Sequence, residues 1–574
     1  MFFRGGFALL LALGYNALCQ TPMVVPGQAA GTQPEKPKAD CVLAGQVLNA
    51  VTGEPLRKAS IQLHSQNQGQ NPPREREVDA AGHFEFRDIE PGRYSLNASR
   101  TGFSSQAYGA KRPGGSGGTT ITLIAAQTIK DLTFKLIPHA VIIGRVADDD
   151  GEPLANIEVS ARRQEWQGRK RQWSMSGYAS TNDLGEYRMF GVAPGNYVIS
   201  AAKRRNFNWS ALEPGVSGKP EEDLVTTYYP GAIDAALATR LTVRSGTETR
   251  GIDLKMLKSR VVRVRGTVID GTTGRPARNS VALMTARGRG YGGILDLAQA
   301  MVRDQKGSFE FRGVAPGSYT VHVQSGMPGQ QLAATAQVEV SDSDVNGLLL
   351  TLGAGTEMPG EVKIEGQSQG QSDSTGGQMM VYLAPWEDDS IMFGGGGTSA
   401  VKDDGSFTLK NVQPAKYRVT VSGLDGAYLK AARFGDADVL ESGLDLSQGV
   451  TGGALRLVVS KSAAEVSGTV QGEDGKPLAG ASVVLVPAEQ YREQWGTYGT
   501  GSTDQYGVFK TRALRPGDYT IYAWEDLEGA EYMDPEFLKL FEKKGVKLTL
   551  KEGAKETQQL TAIPAEATRA LRGQ

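Results

Sequence analysis

Cysteine is almost missing from this chain. Of 574 residues only Cys19 and Cys41 are cysteines, and Cys19 lies in an apolar N-terminal segment, so one thiol remains beyond it and no disulfide framework can form. The domains must be held by their cores. Charge of one sign is lacking too: 62 Lys and Arg against 63 Asp and Glu leave −1, which offers no field to gather phosphates and argues against nucleic acid as a partner. Histidine is scarce at four, whereas a His/His/Glu zinc site needs a Glu three residues after one His. The third place after His64, His83, His139 and His322 holds Asn67, Phe86, Ile142 and Ser325. No metal, cofactor or catalytic residue is expected.

Long hydrophobic runs are absent as well, and no stretch after the N-terminus approaches the roughly 18 apolar residues of a membrane-spanning helix. The N-terminus itself has Arg4 followed by an apolar run from Phe7 to Leu18, which reads as a secretory signal peptide over 1–19. Cleavage after Cys19 would satisfy a small-x-small rule through Ala17; lipidation of Cys19 would need a small residue where Leu18 stands. An exported, soluble product is therefore expected, extracellular or in the periplasm or cell envelope, rather than a lipoprotein. Residues 20–40, rich in Pro, Gln, Gly and Thr, read as a linker.

What the sequence does have is glycine (73), proline (26) and a five-fold internal repeat. The first copy runs Asp79, Gly82, Phe84, Phe86, Ile89, Pro91, Gly92, Tyr94, Leu96. The spacing recurs at Asn182 to Ile199, Asp304 to Val321 and Asp504 to Ile521. A degenerate copy, Asp403 to Val419, carries Ala415 in place of the turn glycine. Apolar residues at every second position on both sides of Pro-Gly predict two strands joined in a hairpin, with Pro fixing the first turn position and Gly taking a positive φ. Upstream of each copy stands an apolar-x-Gly-x-Val strand, at Gly45, Gly144, Gly266, Gly360 and Gly468, followed in four copies by a Gly-x-Pro turn. Each unit offers six or seven short strands, the pattern of a small β-sandwich.

Together these elements resemble the carboxypeptidase regulatory-like domain. The resemblance covers the chain after Asp40 and implies tandem transthyretin-like sandwiches, classed with carbohydrate-binding-like folds and without catalysis of their own. The expected architecture is all-β, a tandem array of about five antiparallel β-sandwiches over 41–137, 138–257, 258–353, 354–461 (degenerate) and 462–563, with a tail over 564–574. One short helix is expected from Asp534 to Lys544, capped by Asp534, started by Pro535, stopped by Gly545 and covering a sheet edge. Cna-B-type domains, which are similar, staple themselves through an acidic residue; that position holds Asn97, Ser200, His322, Thr420 and Tyr522, so self-stapling is not expected.

Two catalytic look-alikes fail on context. Gly114-x-Ser116-x-Gly118 sits in a glycine-rich loop without a following helix, and Gly288-x-Gly290-x-x-Gly293, although Ile294–Met301 could follow as a helix, lacks a parallel βαβ unit. The better functional clue is tryptophan. Trp166, Trp173, Trp386 and Trp495, joined by Tyr178, Phe393, Tyr491 and Tyr498, fall between the Gly-x-Pro strand and the Pro-Gly unit of repeats two, four and five; Trp209 and Trp524 follow the second strand of that unit. Loop aromatics with polar neighbours suit sugar faces or protein contacts. Trp166, Trp173, Tyr178, Trp386, Trp495 and Tyr498 are accordingly the candidate ligand residues. The basic run Arg162, Arg163, Arg169, Lys170, Arg171 reads as a solvated loop. The function expected is a monomeric, non-catalytic binding or scaffold protein, with carbohydrate or envelope proteins as partners; the alternative is a carbohydrate-binding protein using the loop aromatics, and a hydrolase or peptidase accessory subunit is less favoured.

Overall fold

The computed structural model describes residues 40–66, 72–112, 117–167, 170–203, 221–286, 298–326, 332–365, 378–386, 397–424, 426–449, 453–492 and 495–571. The expected leader and linker, Ser116, the Gly288–Gly293 glycines, Trp209 and Phe393 lie outside them.

Five apolar cores follow one another along the chain, each built from strands whose alternate side chains point inward. In the first domain the strands are β1 (Cys41–Asn49), β2 (Ser60–Ser65), β3 (Arg74–Glu77), β4 (His83–Ile89), β5 (Gly92–Ser99), β6 (Gln106–Ala107), β7 (Ile121–Leu123) and β8 (Thr128–Leu136). They form two sheets. One has the order β4-β1-β8; in the other β2 lies between β3 and β5, and β5 also pairs with β6 and β7. Cys41, Leu43, Phe86 and Phe134 face Ile61, Leu63, Leu96 and Ala98 across the sandwich, all buried. The sandwich is not wholly antiparallel, because β1 and β8 run parallel from Val42↔Thr128 to Asn49↔Leu136. First and last strands are parallel neighbours in all five domains.

The Pro-Gly unit is not a hairpin. β4 pairs with β1 in one sheet and β5 with β2 in the other, so Pro91-Gly92 is an arch that crosses the sandwich. The same change of partner occurs in the other four domains, although in the third Leu332–Val340 pairs with Val345–Ala354 and joins the two layers into one eight-stranded sheet. The positive φ expected of its glycine is present at Gly195, Gly317 and Gly517, at 158°, 155° and 151°, a conformation that residues with a side chain rarely adopt, whereas Ala415 fills the place in the fourth domain. What holds the arch is the following tyrosine. Its hydroxyl donates to the carbonyl four residues back in every domain: Tyr94 to Glu90 (2.7 Å), Tyr197 to Ala193 (2.7 Å), Tyr319 to Ala315 (2.8 Å), Tyr417 to Gln413 (2.8 Å) and Tyr519 to Arg515 (3.0 Å).

The repeated Gly-x-Val has an equally direct cause. A Cβ on Gly45, Gly144, Gly266 or Gly468 would stand 2.0, 1.9, 2.3 or 1.7 Å from a carbonyl oxygen of the parallel last strand or the segment beside it, so only glycine lets the two pass. The valine two residues on joins both turns. Val47 N–H donates to Gly82 O at 2.8 Å and Val47 O accepts from Leu56 N at 2.9 Å, with the same pair of bonds at Val146, Val268 and Val470.

Junctions between domains are short. Leu136 is followed by the next domain's first strand at Ala140, Lys255 by Lys258, Ala354 by Thr356 and Ser460 by Ala464. The second domain even lends Glu221–Leu224 to the third, paired with Lys258–Val261. In the fifth domain α1 (Pro535–Leu540), capped by the Asp534 carboxylate on Glu536 N–H, covers a sheet face rather than an edge. It packs with Trp524, Tyr522, Val484 and Val486 in a second core. The expected tail is a second helix, α2 (Ala565–Leu571), with Thr568 fully buried. Of the expected helix over Ile294–Met301, the described part, Ala298–Met301, lies in a strand, Ala298–Val302, antiparallel to Ser280–Ala286.

Candidate functional site

The strands Ile157–Gln167 and Lys170–Ser180 of the second domain form a long antiparallel arm. Val159 and Ala161 point into the domain core, so Ser160, Arg162, Gln164 and Trp166 point away from it. Opposite residues of a ladder share a face, which places Tyr178 beside Ser160, Met175 beside Arg162 and Trp173 beside Gln164. Trp173 and Tyr178 are five apart and should lie on opposite faces. A bulge in the register between Ala161 and Arg162 inserts Ser176 and brings them to the same one. Trp166, Trp173, Met175 and Tyr178 thus make one strip, with Tyr178 63% and Met175 41% exposed and the two tryptophans half-buried.

The strip ends on another domain. Trp166 packs against the second core of the fifth domain, which also takes in Tyr498, and the Trp166 carbonyl lies beside Gly529. Tyr498 is held in that core by a 3.1 Å bond to Arg492 O and by the Tyr532 ring at 5.5 Å. Burial pushes the Tyr532 hydroxyl above its usual pKa. Trp386 does not join them. Trp386 is half-buried at the end of the fourth sandwich, with Lys416 and Arg418 over its ring at 4.2 and 4.8 Å and Gly443 against its edge. The Trp495 side chain lies outside the described residues. Trp524 ends its strand fully buried. Of the basic run expected to be a solvated loop, Arg169 lies outside the described residues and the others fall on the two strands of the arm; Arg162 is buried, its Nε donating to Ser160 Oγ at 3.2 Å. The one local signal for the bulge that re-phases the strand and so brings in Met175 is Gly177, which stands next to the inserted Ser176.

Two polar features lie apart from the arm. A groove of about 680 Å³ crosses the outer face of the first domain, lined by Arg76, Asp79, His83, Glu85, Lys130 and Asp131. Asp79 and His83 pair across 3.6 Å, and the His83 backbone N–H holds the Asp79 carboxyl below its usual pKa. Asp148, Asp149 and Asp150 bring carboxylates together, but the Lys258 ammonium lies 2.8 Å from Asp149 and 3.9 Å from Asp150.

The arch, its tyrosine and the Gly-x-Val strand appear intact in the first domain. Residues 42–136 match the family model of the carboxypeptidase regulatory-like domain. Among solved structures the chain is similar to the Bacillus anthracis TIE protein at 14% identity, covering 54% of this chain and half of that one, with a TM-score of 0.16. It is also similar to a streptococcal ancillary pilin (14% identity, 55% of this chain and 98% of that one, TM-score 0.19). BcpA, the major pilin subunit of Bacillus cereus, matches at 11% identity over 54% of this chain and 99% of that one, with a TM-score of 0.14. No match to a curated protein sequence was found.

Proposed function

We propose that the protein is a non-catalytic, exported scaffold built of carboxypeptidase regulatory-like repeats. The observation that carries this reading is the way the repeated motif is used. Its glycines, valines and tyrosines are taken up in holding each sandwich, and the strand-to-strand junctions fix one sandwich against the next. What varies between repeats is the arm, where recognition is free to differ.

A carbohydrate-binding reading is favoured by the arm itself, since Trp173, Met175 and Tyr178 share one outward face and a flat apolar strip suits the face of a sugar ring. Glycan-array binding of the mature chain, compared with the Trp173→Ala/Tyr178→Ala double variant, separates the two. Binding abolished by the double variant supports recognition at the strip. Absence of any glycan signal leaves the scaffold alone, and turnover of a glycan or peptide would overturn the non-catalytic reading.

A further inference from the structure

The first and fifth domains are separated by more than three hundred residues, yet they touch. Arg112, in the segment between β6 and β7, makes a bidentate pair with Asp526: Nε to Oδ1 at 2.8 Å and Nη2 to Oδ2 at 2.9 Å. Its Nη1 reaches Glu528 at 2.7 Å. Asp526 is only 3% exposed, and Arg569 Nε of α2 lies 3.4 Å from the same Oδ2. Desolvation opposes the charge on Arg112, but the bond and charge of Asp526, with Glu528 beyond it, outweigh this and hold the guanidinium above its usual pKa. A planar fork meeting a buried carboxylate is the strong, directional form of an ion pair.

A second cluster, held by hydrogen bonds and no ion pair, fits the edge of a sheet. Among the described residues β7 pairs with β5 alone and is an edge strand. On its open side the Gln505 side-chain amide takes the role of a neighbouring strand, its Oε1 accepting from Thr122 N–H at 3.0 Å and its Nε2 donating to Thr122 O at 2.7 Å. Thr122 Oγ1 donates to Asp504 Oδ2 at 2.9 Å. Asp504 is the first residue of the fifth domain's repeat, and its Oδ1 already accepts from Tyr506 and Val508 N–H. Gln127 Nε2 adds a bond to the Tyr506 hydroxyl at 2.9 Å, and Thr119 packs against Gly480. Thr119, Thr120 and Asp504 are all nearly buried. An open strand edge is a template for adventitious pairing, and here a side chain from the far end of the chain occupies it.

We propose that this contact is a latch: it closes the five-domain chain into a ring and seals the β7 edge. The inference stands whether or not the aromatic strip binds a glycan. It predicts that Arg112→Glu, which sets a carboxylate against buried Asp526, opens the ring. In the full mature chain, small-angle scattering should then show a larger maximum dimension than wild type, and hydrogen exchange at Thr120–Leu123 should quicken at least tenfold while Leu96 and Ala98 in β5 stay protected. Protection in β5 shows that the domain still folds. Gln505→Ala, which removes only the amide, should quicken exchange at Thr122 and leave the overall dimension closed. A wild-type chain already extended in solution would overturn the latch, and so would an Arg112→Glu chain with unchanged dimension and unchanged exchange.

Discussion

Alanine at Gly45 is a severe test of why the glycine recurs. The added Cβ would sit 2.0 Å from Leu132 O and 2.7 Å from Leu132 C, so β1 and β8 must part by about 1 Å to restore a normal contact. The group struck is backbone within a parallel ladder and cannot rotate away. The cost belongs at the top of the overpacking range, about 3 kcal/mol, a large share of the 5–15 kcal/mol typical of a domain. Gly53→Ala is the matched control. Gly53 has φ of 74° and no neighbour within 4 Å, so alanine there bears only the left-handed penalty of about 1 kcal/mol. Native-state hydrogen exchange on the full chain, read at amides of β1, β4 and β8, gives both values in one molecule. A loss at Gly45 no greater than that at Gly53 would refute the close-approach account.

Tyr417→Phe should destabilise the fourth domain by about 1–2 kcal/mol, because it leaves Gln413 O without its donor in the one arch that has no glycine; thermal unfolding of that domain measures it. His322 is buried beside Thr335 Oγ1, and burial lowers its pKa to about 4. The unfolded chain therefore binds a proton near pH 6.5 that the folded domain takes up only near pH 4. Stability of the third domain should fall as pH drops through that window, by on the order of 3 kcal/mol, and His322→Gln should abolish the fall in pH-dependent melting.

The sandwich count and the core were legible because period-two patterning and turn chemistry are local. Phe84, Phe86, Ile89 and Leu96 had to share an interior wherever their strands went. Which sheet each strand joined was not legible, since Pro91-Gly92 suits a hairpin and an arch equally, and only the partners, β1 for β4 and β2 for β5, tell them apart. The aromatic strip was half legible. Trp173 and Tyr178 stood out as loop aromatics, but their common face depends on one bulged residue. The latch left no trace, because Arg112 and Asp526 are each unremarkable in their own neighbourhood and meet only through the path of three intervening domains.

The parallel pairing of first and last strands decides how the chain bears a load. A pull on the ends enters each sandwich along its first strand and leaves along its last, and these lie side by side, as β1 and β8 do from Val42↔Thr128 to Asn49↔Leu136. Tension therefore slides one strand along the other and strains the whole ladder together, instead of opening it one bond at a time from an end. With junctions of one to three residues between Leu136 and Ala140, Lys255 and Lys258, Ala354 and Thr356, and Ser460 and Ala464, little slack intervenes before that shear begins. While the contact between the first and fifth domains holds, a pull on the ends bypasses the middle three sandwiches, and once it parts their ladders take the load in series.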